Sequence, residues 1–200
     1  MENNNVTLSG FISDEAKYSH TKNGTYYYNT VISIARLSEK FDHIPLVIPG
    51  KLILPVMGDY VSIKGRFVSQ NQRKNGKNTL VLYVLVDELS LSDNIHFNDV
   101  AMLHGFICKE PYYRKTPLGK TLCDVLLAVN DDGKSNYIPT IFWGIHASWT
   151  RHLPVGTELK VEGRIQSREY LKKYDDGTSE TKTAYELSVF RSELVEVEDI

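Results

Sequence analysis

Apolar and polar residues alternate along much of this chain with a period of two. Val61 and Ile63 are set among Tyr60, Ser62 and Lys64, and Leu159 and Val161 among Glu158, Lys160 and Glu162. One side chain in and the next one out is the pattern of a half-buried strand. Pairs with turn chemistry interrupt the runs: Asn23-Gly24, Asn75-Gly76, Leu118-Gly119 and Asp176-Gly177, where glycine or asparagine accepts a positive φ at little cost. Strands are predicted near 6–15, 26–36, 43–49, 59–70 and 79–90, and again near 100–110, 121–130, 136–143, 157–171 and 181–197. Helix is scarce. It is confined to 145–153, where Pro154 and Gly156 end it, and the counterpart 51–57 is shorter and holds Pro55, so no helix is expected there.

The two sets of five strands are two copies of one domain. Gly10-Phe11-Ile12 recurs as Gly105-Phe106-Ile107 at an offset of 95, which also pairs Tyr18 with Tyr113, Thr21 with Thr116 and Gly24 with Gly119. Residues 43–50 lie over 137–144 at offset 94, and Gly58 to Arg66 over Gly156 to Arg164 at offset 98. A collinear series with so little drift is an internal repeat. Gly10, Gly65, Gly105 and Gly163 fall inside strand patterns, where glycine marks a bulge or a sharp bend. Five bent strands per copy predict an all-β chain of two tandem five-stranded Greek-key barrels of the OB type, with a short helix between strands three and four of the second. The first barrel is expected over 1–92, without the helix, and the second over 98–200, joined by a short polar link.

Composition narrows the function. With 42% apolar and 24% charged residues the chain is expected to fold throughout. The longest apolar run, Leu80 to Val86, is far short of the roughly 20 residues of a membrane span. The start, Met1-Glu2-Asn3-Asn4-Asn5, lacks the basic and apolar regions of a signal peptide, and two cysteines make no disulfide framework; a cytoplasmic protein is expected. Net charge is −2, so a site for a polyanion must be a local patch.

Such a patch is visible in the second copy. Alternation puts Arg164, Gln166, Arg168 and Tyr170 on one face of its fourth strand, and Tyr137, Pro139, Ile141 and Trp143 on one face of its third. Hairpin tips add Lys172 and Lys173, and Tyr113, Arg114, Lys115 and Lys120. A single strand of nucleic acid exposes a phosphate per nucleotide and the flat face of each base, so cations along a groove interleaved with aromatic rings suit it. In the first copy His43 and Pro49 replace Tyr137 and Trp143, and Gln72 stands near the place of Tyr170. Cations remain there in Arg66, Arg73, Lys74 and Lys77, beside Tyr18, Tyr26, Tyr27 and Tyr28. This copy reads as a weaker binder or an oligomerisation partner.

Enzyme chemistry finds no support. Gly119-Lys120-Thr121 and Gly133-Lys134-Ser135 end like a phosphate-binding loop, but the leading glycine is replaced by Arg114 and Ala128. The histidines (20, 43, 96, 104, 146 and 152) show no ligand spacing, so neither metal nor cofactor is expected. No nucleophile, base and orienting group can be assembled.

In order along the second copy stand Glu110 to Lys120, Leu126-Leu127-Ala128-Val129, Ile138 to Gly144 and Gly156 to Tyr170. Together these segments resemble the bacterial single-stranded DNA-binding protein family. The resemblance implies an OB fold that binds single strands with little sequence preference in replication, recombination or repair. It also implies that Tyr137, Trp143, Arg168 and Tyr170 occupy the family's stacking and phosphate-contacting positions. Members with two barrels per chain imply a homodimer. The family usually carries a long disordered linker and an acidic tip; here the acidic Val195 to Ile200 follow the last predicted strand directly, so no such linker is expected and this end is expected to be the frayed end of a strand. Two further readings share the fold: a protein-interaction adaptor and a single-stranded RNA binder.

Overall fold

The computed structural model describes residues 3–74, 77–131, 133–174 and 177–195, with the side chains of Lys74 and Lys77 outside that description. Its strands are β1 (Asn4–Ile12), β2 (Lys17–Lys22), β3 (Thr25–Ala35), β4 (Phe41–Pro49), β5 (Tyr60–Lys74), β6 (Lys77–Leu91), β7 (Asn98–Ile107), β8 (Tyr112–Lys115), β9 (Thr121–Asp131), β10 (Lys134–Trp143), β11 (Glu158–Lys173) and β12 (Ser179–Leu194). The helix among the described residues, α1 (Gly144–Thr150), follows β10 directly and is shorter than the 145–153 read from the sequence. At the corresponding place in the first copy, the described residues after β4 form turns.

Each copy carries one strand more than the hydrophobic pattern predicts. The extra strands, β2 and β8, pair only with β3 and β9. β2 is exposed along almost its whole length, so it has no buried face to impose an alternation on the sequence.

In the first copy the order β3-β4-β6-β5-β1 closes through a β1–β3 pairing, with β4 parallel to β6; in the second, β9-β10-β12-β11-β7 closes through β7–β9, with β10 parallel to β12. This is the five-stranded Greek-key order of an OB barrel. Leucine, isoleucine and valine fill both interiors, around Phe67 in barrel one and Phe142 in barrel two. Closure needs glycine at the bends. A Cβ on Gly163 would sit 2.5 Å from the Ser188 carbonyl oxygen, and Gly163 is where the β11–β12 register shifts.

An antiparallel β1–β7 ladder joins the barrels into one sheet, from Asn4 opposite Leu103 to Ser9 opposite Asn98. Because residues 4 and 99 are equivalent in the repeat, as are 8 and 103, the pairs Asn4–Leu103 and Leu8–Asp99 are one contact read in both directions. A local twofold axis therefore relates the barrels, as it would two copies in a symmetric dimer. The side-chain bonds repeat the symmetry. The Ser69 N–H donates to Asn136 Oδ1 (3.1 Å) and the Ser167 N–H to Asp42 Oδ1 (2.7 Å). The Tyr137 N–H donates to Ser69 Oγ (2.7 Å) and the His43 N–H to Ser167 Oγ (3.0 Å). Arg36 completes the junction, paired with Asp42 and donating to the Ser167 carbonyl at 2.9 Å.

Candidate nucleic-acid interface

Residues opposed across a ladder share a face of the sheet, so register locates each side chain. One row across barrel two runs Arg114–Leu122–Trp143, and the next runs Tyr112–Asp124–Ile141–Ser188–Arg164. Further along β11, Gln166 opposes Glu186, Arg168 opposes Ala184 and Tyr170 opposes Lys182. All of these lie on the outer side of the barrel. Ile138, Thr140 and Phe142, which alternate with them on β10, point into the core.

The rings are turned outward: Tyr137 is 42% exposed, Trp143 36% and Tyr170 37%. Gly144, at φ +57°, lets the chain swing from β10 into α1 and leaves Trp143 at the lip of the sheet. The indole N–H donates to Ser188 Oγ at 3.1 Å, which fixes the ring across β12. The Arg168 guanidinium lies 5.8 Å from the Tyr170 ring centre, and Lys172 Nζ lies 5.4 Å from that of Tyr174. Lys172 and Lys173 are exposed at the end of the long β11–β12 hairpin. Cations and rings thus alternate along one outer surface, a layout suited to phosphates and bases in turn.

Not every residue singled out from the sequence lies there. Tyr113 opposes Cys123, packs against the core and sits beneath Arg151, whose guanidinium carbon is 4.9 Å from the ring centre. Lys115 is exposed at the end of β8, on the side of the strand that Tyr113 takes. The residue that joins Arg114 on the outer face is Tyr112, two positions away and 65% exposed. Period two on β8 is the signal that finds Tyr112; a hairpin reading of the Tyr-Tyr-Arg-Lys run misses it. Arg114 holds Asp124 through Nε (2.6 Å) and Nη2 (3.2 Å), and these bonds raise its pKa. Arg164 is half-buried at the junction, lining a cavity of about 300 Å³ with Arg36, Asp42 and Asp99.

Acids also stand on this face: Glu180, opposite Lys172, is held by Tyr174 and Lys182 at the hairpin end, and two lie nearer the barrel, Asp124 and Glu186. Asp124 is taken up by Arg114. Glu186 is half-buried, and burial raises its carboxyl pKa against the opposing effect of Arg168. A sequence reading built on cations and aromatics does not find these acids.

Barrel one presents the equivalent face with other chemistry. The row Lys17–Asn29–Val47–Leu85–Arg66 matches Tyr112–Asp124–Ile141–Ser188–Arg164. Arg66 is bound by Asp87 (3.1 and 3.2 Å) and, from barrel two, by Asp131 (3.2 Å). At the place of Trp143, Pro49 opposes Tyr27, whose ring stacks on His20 at 4.8 Å. Tyr18, Tyr26 and Tyr28 meet edge to face on the other side of the β2–β3 ribbon. A groove of about 550 Å³ runs over this face, lined by neutral groups such as Asn29, Gln70, Gln72 and Tyr83 beside Lys17 and Asp14. Arg73 is exposed near the end of β5, and the side chain of Lys74 lies outside the described residues. Among the described residues no cluster of His, Cys, Asp or Glu could hold a metal ion, and no helix is long and apolar enough to cross a membrane.

A sequence model described as the single-strand binding protein family matches residues 97–195. The second barrel belongs to that family. The match covers all of β7 to β12, so each outer-face residue named above in barrel two lies within the single-strand binding module. Among solved structures, the chain is similar to the wild-type single-stranded DNA binding protein from Thermus aquaticus. That alignment has a TM-score of 0.78 and 18% identity, and covers 98% of this chain and 95% of that one. A deletion variant of the same Thermus aquaticus protein aligns with a TM-score of 0.76 and 19% identity, over 98% and 96%. At this identity the likeness is one of fold, and it extends over both barrels. A comparison with curated proteins gives no match.

Proposed function

We propose that the outer face of barrel two binds single-stranded DNA without catalysis, bases stacking on Trp143, Tyr137, Tyr170 and Tyr112 while Arg168, Lys172 and Lys173 meet phosphates. The observation that carries this reading is the gathering of outward rings and cations on one face of a single-strand binding family barrel. Arg114 and Arg164 line that face, and Arg66, Arg73 and Lys74 extend the set into barrel one. Each stacked base contributes about 1–3 kcal/mol, and each neutralised phosphate contributes about −0.7 to the log–log salt slope. The role is in replication, recombination or repair, with two chains assembling four barrels; light scattering at micromolar concentration reads that mass directly.

The test is a gel-shift comparison of oligo-dT, the matching RNA and duplex at several salt concentrations. Binding of oligo-dT with a negative salt slope and quenched tryptophan emission is expected. A flat slope, or equal affinity for duplex, overturns the reading. An adaptor reading draws on one feature, the exposed Ile53, Leu54, Val56 and Met57 after β4. Failure to bind any polynucleotide moves the assignment there.

A further inference from the structure

We propose that Glu186 reads the bases of the bound strand, its carboxylate accepting a hydrogen bond from an exocyclic amino group, so that barrel two favours amino-bearing bases over thymine. The inference rests on the single-strand binding reading above and adds base selection to it.

Glu186 opposes Gln166 in the β11–β12 ladder, between the Ser188–Arg164 and Ala184–Arg168 pairs, which places it amid the stacking rings and cations. Among the described residues it makes no hydrogen bond and no ion pair within 4 Å. The other acids nearby are engaged: Asp124 by Arg114, and Asp42 by Arg36 and Ser167. The charges that face Glu186 are Arg168 on β11, Arg114 on β8, Asp124 on β9 and Arg36 from barrel one. Burial raises its carboxyl pKa, as expected of a group short of partners.

An ionised carboxylate accepts hydrogen bonds and donates none. Phosphates offer it only repulsion. The donors on a single strand are base N–H groups, and a carboxylate pairs naturally with the cytosine amino group. Thymine has a carbonyl oxygen where cytosine has that amino group, and its one N–H is flanked by two carbonyls that repel a carboxylate. Barrel one carries Tyr83 at the matching place, opposite Val68, and its hydroxyl donates to Gln70 Oε1 at 3.4 Å. A neutral hydroxyl can donate as well as accept, so that barrel supplies no such selection.

The test is fluorescence anisotropy of the whole chain with oligo-dC and oligo-dT of equal length at pH 7.5, for wild type and Glu186→Gln. These pyrimidines present similar stacking area. The dC-to-dT affinity ratio is expected to fall by about fivefold or more in Glu186→Gln, because an amide serves both bases. Asp124→Asn shifts both affinities and leaves the ratio in place. If Glu186→Gln tightens both oligonucleotides equally, Glu186 acts by charge alone and the inference fails while the binding reading stands. If wild type binds neither oligonucleotide, the binding reading itself fails. An oligomer of N4,N4-dimethylcytosine, measured on wild type, supplies an arm without mutation: its affinity must drop relative to dC by a similar factor, and equal affinity refutes the inference.

Discussion

Asn4 and Asp99 occupy equivalent places beside the ladder that joins the barrels. Asn4 is buried and meets the Phe67 backbone twice, accepting from its N–H at 2.8 Å and donating to its carbonyl at 2.9 Å. Asp99 accepts from the Ile165 N–H at 3.0 Å, and as a carboxylate it has no proton to give back. Burial is the main reason its pKa is raised to about 7; the Ile165 bond, Arg164 and Arg36 oppose this, while Asp42 reinforces it. The backbone frame of the two halves is the same, and the side chains set into it have diverged. The outer faces differ in the same manner, with the stacked His20–Tyr27 pair and Pro49 in barrel one against Trp143 and Arg114 in barrel two.

The contrast between the faces has the largest expected effect. Replacing Tyr137, Trp143 and Tyr170 together with alanine should weaken oligo-dT binding by about two orders of magnitude or more in anisotropy titrations, the lower bound corresponding to about 1 kcal/mol for each of three stacked bases. Replacing the rings that barrel one carries on its equivalent face, Tyr27 and Tyr83, with alanine should cost no more than about tenfold. Equal losses would make the two faces functionally alike.

Next comes the Asn4–Asp99 pair. The folded pKa of Asp99 is raised, so its favourable contribution is fully present below about pH 4 and is lost as pH rises through about 7. Asp99→Asn should therefore stabilise the protein at pH 8 by about 2–4 kcal/mol, with a gain that shrinks as pH falls toward 4; thermal melts across that range check it. Asn4→Asp should install the same pH dependence in barrel one. A constant Asp99→Asn effect across pH would show that no raised carboxyl is involved.

The smallest effect expected is at Asp124, whose counterpart in barrel one is Asn29. Asp124→Asn releases Arg114, which should tighten oligo-dT binding by about two- to fivefold and steepen the salt slope by about 0.7. An unchanged slope would mean that Arg114 does not reach phosphate.

Much of this was legible before any coordinates. The repeat offsets located both barrels because strands, bends and turns impose residue types at fixed places; Gly163 is needed where a Cβ would strike Ser188. Alternation on β10 and β11 placed Tyr137, Trp143, Arg168 and Tyr170, since a half-buried strand writes its two faces into the sequence. β2 is hidden from a pattern reading because a ribbon exposed on both sides writes no alternation, and β8, only four residues long, is too short to show one; that Tyr112 rather than Tyr113 shares the outer face with Arg114 emerges from the register. The engagement of Arg114, Arg66 and Arg36 by carboxylates was beyond reach as well, because it depends on which strands become neighbours.

The twofold relation between the barrels bears on how a directional polymer could run across them. Tyr137 and His43 are equivalent residues, and both are tied to the junction through Ser69 and Ser167, so like ends of the two faces adjoin. A strand passing straight from one face to the other would travel the second in the reverse 5′-to-3′ sense. To keep one sense throughout, it would have to leave at the far end and double back. The halves of the chain thus cannot make identical contacts along a straight path, and the different side chains on the barrel-one face free that half of any need to match its twin.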